Sequence, residues 1–216
     1  MPPDLTRHAR VARAVSGIVE TAMPSSAVRA AVLVLATFAI PSQDPLRDAL
    51  NLGHSKDQTL VDSFNRGYQL TASGTIARAE IVTEFRRAVM LVRERESLGD
   101  YIPDSHALST ALAPVAGLVT VIVEARLNPL NTYTKAPSYE LYVSTGPTTK
   151  PIAGKPFTRE PIYPIGAPAG SRMGAVRLTA SFPRADIEAA VQPAIVVADD
   201  RAEVIWQQRI DLSRYR

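Results

Sequence analysis

The hydrophobic period of the chain changes near Gly117, and this change constrains the fold more than any other feature of the sequence. Before it, apolar residues recur every three or four positions, as they do on one face of a helix. After it, Val119 and Val121 begin an alternation with polar neighbours that is typical of a half-buried strand. The sequence therefore predicts an α+β protein, with a mostly helical portion at residues 40–116 and a β-sandwich-like domain at residues 117–216.

Residues 75–98 form the clearest helix candidate of the first portion, because their apolar members recur at spacings of three and four. Charged residues such as Glu80 and Arg86 fall mostly off that apolar face. A second interpretation stays open for the start of the segment. Residues 68–72 and 76–83 flank a Ser-Gly pair, and this pattern also fits a hairpin that leads into a shorter helix.

Shorter helices are predicted on both sides of this segment. The polar, turn-rich residues 43–58 form either a linker or a short helix around residues 45–52, and an apolar group at residues 60–64 indicates another helix. A further helix begins where Asp104 or Ser105 can cap its free N–H groups, and it ends at Leu112, just before a proline.

The second portion is predicted to contain at least five short antiparallel strands. Their alternating patterns lie at residues 119–127, 139–143, 176–182, 194–198 and 202–212. The second of these strands is expected to return antiparallel to the first, and the last two form a hairpin around Asp199-Asp200-Arg201. This arrangement resembles an immunoglobulin-like sandwich at the level of the fold alone.

Residues 146–174 interrupt the alternation with six prolines and five glycines. Proline cannot donate a hydrogen bond to a strand ladder, so central strands are not expected there. The segment is predicted to be a long loop, with room for an edge strand near residues 161–165. Loops of this length in compact domains are usually functional or disordered.

An apolar run at residues 30–40 resembles the hydrophobic region of a signal peptide, being too short for a membrane-spanning helix. Arg29 precedes the run, and Thr37 and Ala39 supply small residues at the positions that a signal peptidase reads. Residues 1–39 are therefore predicted to be a leader. Translation from Met23 would give this leader an ordinary length.

The alternative interpretations are that residues 27–40 form a buried core helix or an uncleaved anchor. If the leader is cleaved, the mature chain is periplasmic or secreted and keeps no stable transmembrane span.

The charge distribution argues against a nucleic-acid partner. The formal net charge is +3, but residues 1–39 hold four arginines and two acidic residues, so the rest of the chain is close to neutral. A nucleic-acid-binding domain would carry a basic stripe on its folded part, and the sequence shows none. Cysteine is absent, which excludes disulfides and thiolate chemistry.

No cofactor or metal site is predicted from the sequence. Of the three histidines, His8 lies in the predicted leader, and His54 and His106 are far apart and are predicted to lie on the surface. A structural zinc site needs four ligands. Glycine-rich phosphate-binding motifs are absent. Residues 170–174 (GSRMG) come nearest to a serine-hydrolase elbow, but they lie in the proline-rich segment instead of between a strand and a helix. The catalytic residues of any enzymatic activity therefore stay unknown.

Acidic residues of the second portion are candidates for a pair that hydrolyses glycans. Glu124 and Glu140 could face each other across the predicted hairpin. The remaining candidates are Asp186, Glu188, Asp199, Asp200 and Asp211. On a half-buried strand a lone Glu usually marks the solvated face, and the Asp199-Asp200 pair is better explained by the hydrogen bonding of a turn.

Aromatic residues gather in and beside the loop-rich middle of the chain: Tyr133, Tyr139, Tyr142, Phe157 and Tyr163. Exposed tyrosines near a loop suit the recognition of a protein or glycan, although Tyr139 also fits the core and Tyr163 could pack the loop. We therefore expect a non-enzymatic binding module of the cell envelope that presents residues 128–137 and 146–174. An exported hydrolase with paired carboxylates, acting on glycan or peptide, is the alternative.

Overall fold

The computed structural model describes residues 44–128, 130, 135–146, 150–168 and 171–216. The predicted leader and its apolar run lie outside the described residues. Within the described part of the chain, no helix is both long enough and apolar enough to span a membrane.

Five α-helices are present in these residues: α1 (Pro45–Gly53), α2 (Gln58–Arg66), α3 (Glu84–Ser97), α4 (Ser105–Leu112) and α5 (Arg184–Glu188). The first four begin at polar caps. The side chains of Asp44, Asp57, Thr83 and Asp104 accept hydrogen bonds from the free N–H groups of the first turn. Helices therefore form at three places where the sequence allowed short ones, α1, α2 and α4, and of the two candidate caps of α4 it is Asp104 that bonds to the helix.

Eight strands form two antiparallel sheets: β1 (Ile76–Val82), β2 (Leu118–Arg126), β3 (Glu140–Ser144), β4 (Ile152–Ala153), β5 (Phe157–Ile162), β6 (Ala175–Pro183), β7 (Ala194–Ala198) and β8 (Val204–Arg209). The order is β1-β2-β6-β5 in the first sheet and β4-β3-β7-β8 in the second. The chain is therefore an α+β protein, and the predicted C-terminal hairpin is confirmed as β7–β8.

The single helix predicted over residues 75–98 is wrong in its first half, which forms β1, whereas α3 forms the second half. The backbone N–H of Leu70 donates to the carbonyl of Ala79 at 2.8 Å, and Gln69 bridges Glu80, as the hairpin interpretation requires. The spacing of apolar residues fits either structure locally. Pairing with β2, from a distant part of the sequence, decides in favour of the strand.

The expected pairing of β3 with β2 is also wrong. β2 lies between β1 and β6, and β3 lies between β4 and β7 in the other sheet. Alternation fixes which face of a strand is buried but does not identify the neighbouring strand. Leu141 and Val143 are buried as the pattern predicts, although the chain has crossed to the opposite sheet.

The proline-rich segment is not one long loop, since β4 and β5 belong to different sheets. β5 is an edge strand, as the prolines predict, but it lies a few residues earlier than expected. The chain crosses between the sheets at Gly154, where a Cβ atom would lie 2.5 Å from Cβ of Ala180 and 2.9 Å from Cζ of Phe182. Only glycine fits this crossing without a shift of the core.

One hydrophobic core joins the inner faces of both sheets. It includes Val121 and Phe182 from the first sheet and Val143, Ile195 and Trp206 from the second. A second, smaller core packs α1, α3 and α4 together. Because only its cap residue, Thr83, separates α3 from the last residue of β1, the helices of this second core lie beyond one end of the first sheet. The opposite end is formed by connecting loops.

Candidate functional site

The end of the sheets opposite the helices gathers several connections. In the first sheet Ala175, at the start of β6, is aligned with Arg126 and Ile162, which end β2 and β5. In the second sheet Ala198, at the end of β7, is aligned with the first residues of β3 and β8. We call the connections at residues 127–139, 163–174 and 199–203 the loop end.

Three apolar side chains of the loop end face solvent. Leu130 is 85% exposed, Tyr163 is half exposed, and Ile165 is fully exposed. Large apolar side chains are usually buried, so these three side chains, on two connections at the same end of the sheets, are candidates for contact with another molecule.

The backbone at the base of these loops is held in place. The N–H of Leu127 donates to the carbonyl of Gly174 at 3.0 Å, which ties the 127–139 connection to the start of β6. The Nε of Arg159 donates to the carbonyl of Tyr139 at 2.7 Å, which ties β5 to the chain entering β3. The exposed residues therefore project from a braced scaffold, an arrangement that lowers the entropy lost on binding.

The predicted aromatic residues have different environments. Tyr139 and Phe157 are half-buried and pack against the main core, and the Arg159 guanidinium covers the Phe157 ring at 4.8 Å. Tyr142 is half-buried on β3, and Tyr133 lies outside the described residues. Tyr163 is thus the most exposed member of the described group. Leu130 and Ile165 were not predicted from the sequence to be functional residues. Each follows a proline in a predicted loop, and an apolar residue in that position is a pattern that could have indicated its exposure.

The candidate residues Glu124 and Glu140 do not form a pair. Glu124 lies on β2 and Glu140 on β3, in different sheets, and Glu124 Oε1 is 2.8 Å from Nη2 of Arg177. The two carboxylates could face each other only if β3 lay beside β2.

The other acidic candidates mostly serve local structure. Asp199 accepts hydrogen bonds from the N–H groups of Arg201 and Glu203 at 2.9 Å, which confirms its role in the turn. Glu188 pairs with Arg184 one turn earlier in α5, and Asp211 caps the following short helix. Asp186 lies in the first turn of α5 and Asp200 in the β7–β8 turn. Within the described residues, no group of three or more histidine or acidic side chains is placed to hold a metal ion.

A buried ion pair connects β1 to α3. Glu80 and Arg86 are both buried, and Arg86 Nη2 donates to Glu80 Oε2 at 2.7 Å while Nη1 donates to the carbonyl of Ile81. Burial opposes ionisation of the Glu80 carboxyl. The hydrogen bond and charge of Arg86, helped by Arg78, outweigh burial and hold the pKa of Glu80 below its ordinary value. Because every strong contact of this pair is internal, it has a structural role.

A second polar contact holds α3 against the first sheet. The hydroxyl groups of Thr120 and Ser181 lie 2.7 Å apart in a buried position, and Nη2 of Arg87 donates to Thr120. Burial lowers the pKa of Arg87, and the nearby Glu84 carboxylate partly offsets this effect. Like the Glu80–Arg86 pair, this contact fixes the helices to the sheet.

The prediction that His54 is a free surface histidine is wrong. Its side chain is partly buried and bonds to residues of α3 and of the segment that follows α3. Its Nδ1 lies 3.2 Å from Glu96 Oε2, its Nε2 lies 3.3 Å from the carbonyl of Ile102, and its ring stacks on Tyr101. The pKa of Glu96 lies below its ordinary value, chiefly because Lys56 donates a hydrogen bond to the carboxylate and, to a smaller extent, because His54 does so as well. These contacts join α1 to α3.

The remaining catalytic candidates do not converge. His106 lies exposed on α4, and His8 is outside the described residues. The Ser171 hydroxyl donates to the carbonyl of Pro168 at 2.6 Å, within its own loop. The loop end is therefore the best-supported functional surface of the described chain.

Comparison of this chain with protein-family models, with curated proteins and with solved structures found no match. The interpretation of the loop end rests on its geometry and chemistry.

Proposed function

We propose that this chain is an exported, non-enzymatic binding module of the cell envelope, periplasmic or secreted, whose loop end captures a protein or glycan. The observation that carries the proposal is the exposure of Tyr163 and Ile165 on a braced loop. An aromatic ring and a branched aliphatic side chain supply contact area at low entropic cost, as anchors in recognition loops do.

The proposal includes an immunoglobulin-like fold, and the strand order supports it. Immunoglobulin constant-type domains pair strands A-B-E-D in one sheet and C-F-G in the other. Here β1, β2, β6 and β5 stand in the order of A, B, E and D, and β3, β7 and β8 in that of C, F and G. The loop end then corresponds to the end that carries the B–C and F–G loops, which antibody variable domains use for recognition.

The export part of the proposal is supported by the signal-like run at residues 30–40, with the cleavage position after Ala39. The near-neutral charge of the chain after residue 39 fits a protein or glycan partner better than a nucleic acid. The hydrolase alternative gains no support from Glu124 and Glu140, because they lie in different sheets.

The binding proposal is tested with the double variant Tyr163→Ser/Ile165→Ser, immobilised and exposed to the envelope fraction of its native host. We expect the variant to retain at most about a tenth of the captured partner, because the loss of two exposed anchors removes more than one factor of ten in affinity. The matched control is Leu98→Ser, which changes a residue of similar exposure at the end of α3.

Treating the envelope fraction with protease or with glycosidase before capture separates a protein partner from a glycan partner. Equal capture by the wild type, the double variant and the Leu98→Ser control would contradict the assignment of binding to the loop end. Deleting residues 148–170 is not a suitable test, since it would remove β4 and β5.

A further inference from the structure

Tyr215 and Arg216 follow β8 in the chain and contact residues that precede and begin α3. Tyr215 packs beside the main core, and its ring centroid lies 5.6 Å from that of Tyr68. The Arg216 guanidinium lies over the ring of Phe85 at 5.2 Å, and Phe85 packs against the second core. The segment 215–216 therefore bridges the two cores.

Polar groups add to the contacts of this segment. Arg216 Nη1 donates to Oδ2 of Asp48, in α1, at 3.2 Å. The hydroxyl of Thr83, the cap of α3, donates to the carbonyl of Arg216. Burial raises the pKa of Tyr68, and hydrogen bonds of its hydroxyl with Thr83 and with the backbone of Arg216 partly offset that effect. Together these contacts define one recess, which we call the α1–α3 groove, lined by Asp48, Tyr68, Thr83 and Phe85.

The groove carries the groups that recognise an arginine. The face of an aromatic ring attracts a guanidinium, and a carboxylate accepts charge-assisted hydrogen bonds from it. Phe85 and Asp48 supply these two groups from α3 and α1, which pack together in the second core. The ring of Tyr68 adds a flat apolar surface for the residue before the arginine. The α1–α3 groove is therefore complementary to an aromatic residue followed by arginine.

The segment 215–216 is held in the groove by surface contacts. The side chain of Arg216 is 52% exposed, and Tyr215 is only half-buried. Neither residue belongs to a helix or strand, and the N–H of Tyr215 donates to the carbonyl of Leu212, within its own turn, at 3.1 Å. Segments with few buried contacts open locally while the rest of the fold stays intact. The groove can therefore exchange this segment for another of the same chemistry.

We propose that the α1–α3 groove is a binding site for protein segments in which an aromatic residue precedes arginine, and that Tyr215 and Arg216 occupy it as a built-in competitor. While the chain's own segment is bound, it excludes a partner. Its release opens the groove to a partner protein that carries such a sequence. The groove involves no residue of the loop end, so this inference does not rest on the proposed function.

The test is isothermal titration calorimetry of an acetylated peptide of residues 211–216 into the full chain and into a chain without residues 215 and 216. A tethered segment at an effective concentration of about 1 mM fills the groove about nine-tenths of the time if its own Kd is about 0.1 mM. We expect the shortened chain to bind the peptide with about this Kd. The full chain should bind about tenfold more weakly, because its own segment competes.

Variants of the shortened chain locate the site. Asp48→Asn/Phe85→Leu loses the carboxylate and the aromatic face with little change in volume, so we expect its binding of the peptide to be about tenfold weaker. The matched control is Asp100→Asn/Phe157→Leu, because Asp100 also pairs with an arginine and the ring of Phe157 also lies under one. This control should bind the peptide like the shortened chain.

Circular dichroism reports whether the shortened chain is folded. Tyr215→Ser/Arg216→Ser gives a second open groove in a chain of the original length, and it should bind the peptide equally well. If both variants lose the native spectrum, the segment is a part of the core and the proposal is wrong. The proposal is also overturned if the folded variants do not bind the peptide, if the full chain binds it as tightly as they do, or if Asp48→Asn/Phe85→Leu binds like its control.

Discussion

Replacing Arg86 with methionine is expected to lower the free energy of unfolding by about 3–5 kcal/mol, the largest effect we expect from a single charge removal. The substitution keeps much of the side-chain volume but leaves the Glu80 carboxylate buried without the guanidinium that bonds to it at 2.7 Å. It also removes the donor to the Ile81 carbonyl and the cation over the Tyr68 ring. Urea unfolding followed by circular dichroism measures the loss.

Arg78→Met is the matched control, because Arg78 bonds to the same Glu80 oxygen at 3.0 Å but its side chain is half exposed. An exposed ion pair contributes about 0–1 kcal/mol, so the control should unfold close to the wild type. The double variant Glu80→Leu/Arg86→Met removes both charges and should recover most of the loss. If Arg86→Met and Arg78→Met lowered the free energy of unfolding equally, burial of the Glu80–Arg86 pair would not be the cause of its contribution to stability.

Phe182→Ala is expected to destabilise the chain by about 3–5 kcal/mol, because it leaves a cavity in the main core. Phe182 is completely buried near the end of β6, and its ring lies where Gly154 carries the chain from one sheet to the other. Loss of the ring therefore affects the contact between the sheets as well as the strand. Thermal and urea unfolding report the change.

Phe157→Ala serves as the control for this substitution, since it removes the same side chain from a half-buried position on the edge strand β5. We expect less than half of the Phe182→Ala effect, because a partly exposed ring loses less transfer free energy. If the two variants unfolded at the same denaturant concentration, the assignment of Phe182 to the centre of the core would be wrong.

The sequence predicts those parts of the fold that depend on local chemistry. The start of α4 could be predicted at Asp104 or Ser105 because a cap bonds to an N–H close to it in the chain, here that of Ala107 to Asp104. The faces of β2 and β6 follow from alternation, since residues such as Val121 and Leu178 meet one core. Neither feature requires knowledge of the distant chain.

The remaining features depend on partners that are distant in the sequence. The pattern of residues 76–82 fits a helix, and only their pairing with β2 makes them a strand. The pattern of β3 fits a neighbour of β2, but the chain crosses to the other sheet before β3 begins. Glu80 and Arg86 were assigned away from the apolar face, as solvated charges are, yet each neutralises the other in the interior. Periodicity carries no information about such pairings.

The functional surface could be predicted only in part. Tyr163 was a candidate because tyrosine in a loop is a general mark of recognition, whereas Ile165 and Leu130 were not identified. Ile165 belongs to the connection between β5 and β6, and Leu130 belongs to the connection between β2 and β3, two strands that lie in different sheets. Composition indicated a loop, and the paired strands determine which residues that loop presents.

The proposal that this chain acts outside the cytoplasm as a binding module is tested most directly by the mass of the protein recovered from the envelope or culture fluid of its native host. Cleavage after Ala39 predicts a chain whose first residue is Ile40. A chain that retains Met1 or Met23 and is found only in the cytoplasmic fraction would contradict the proposal.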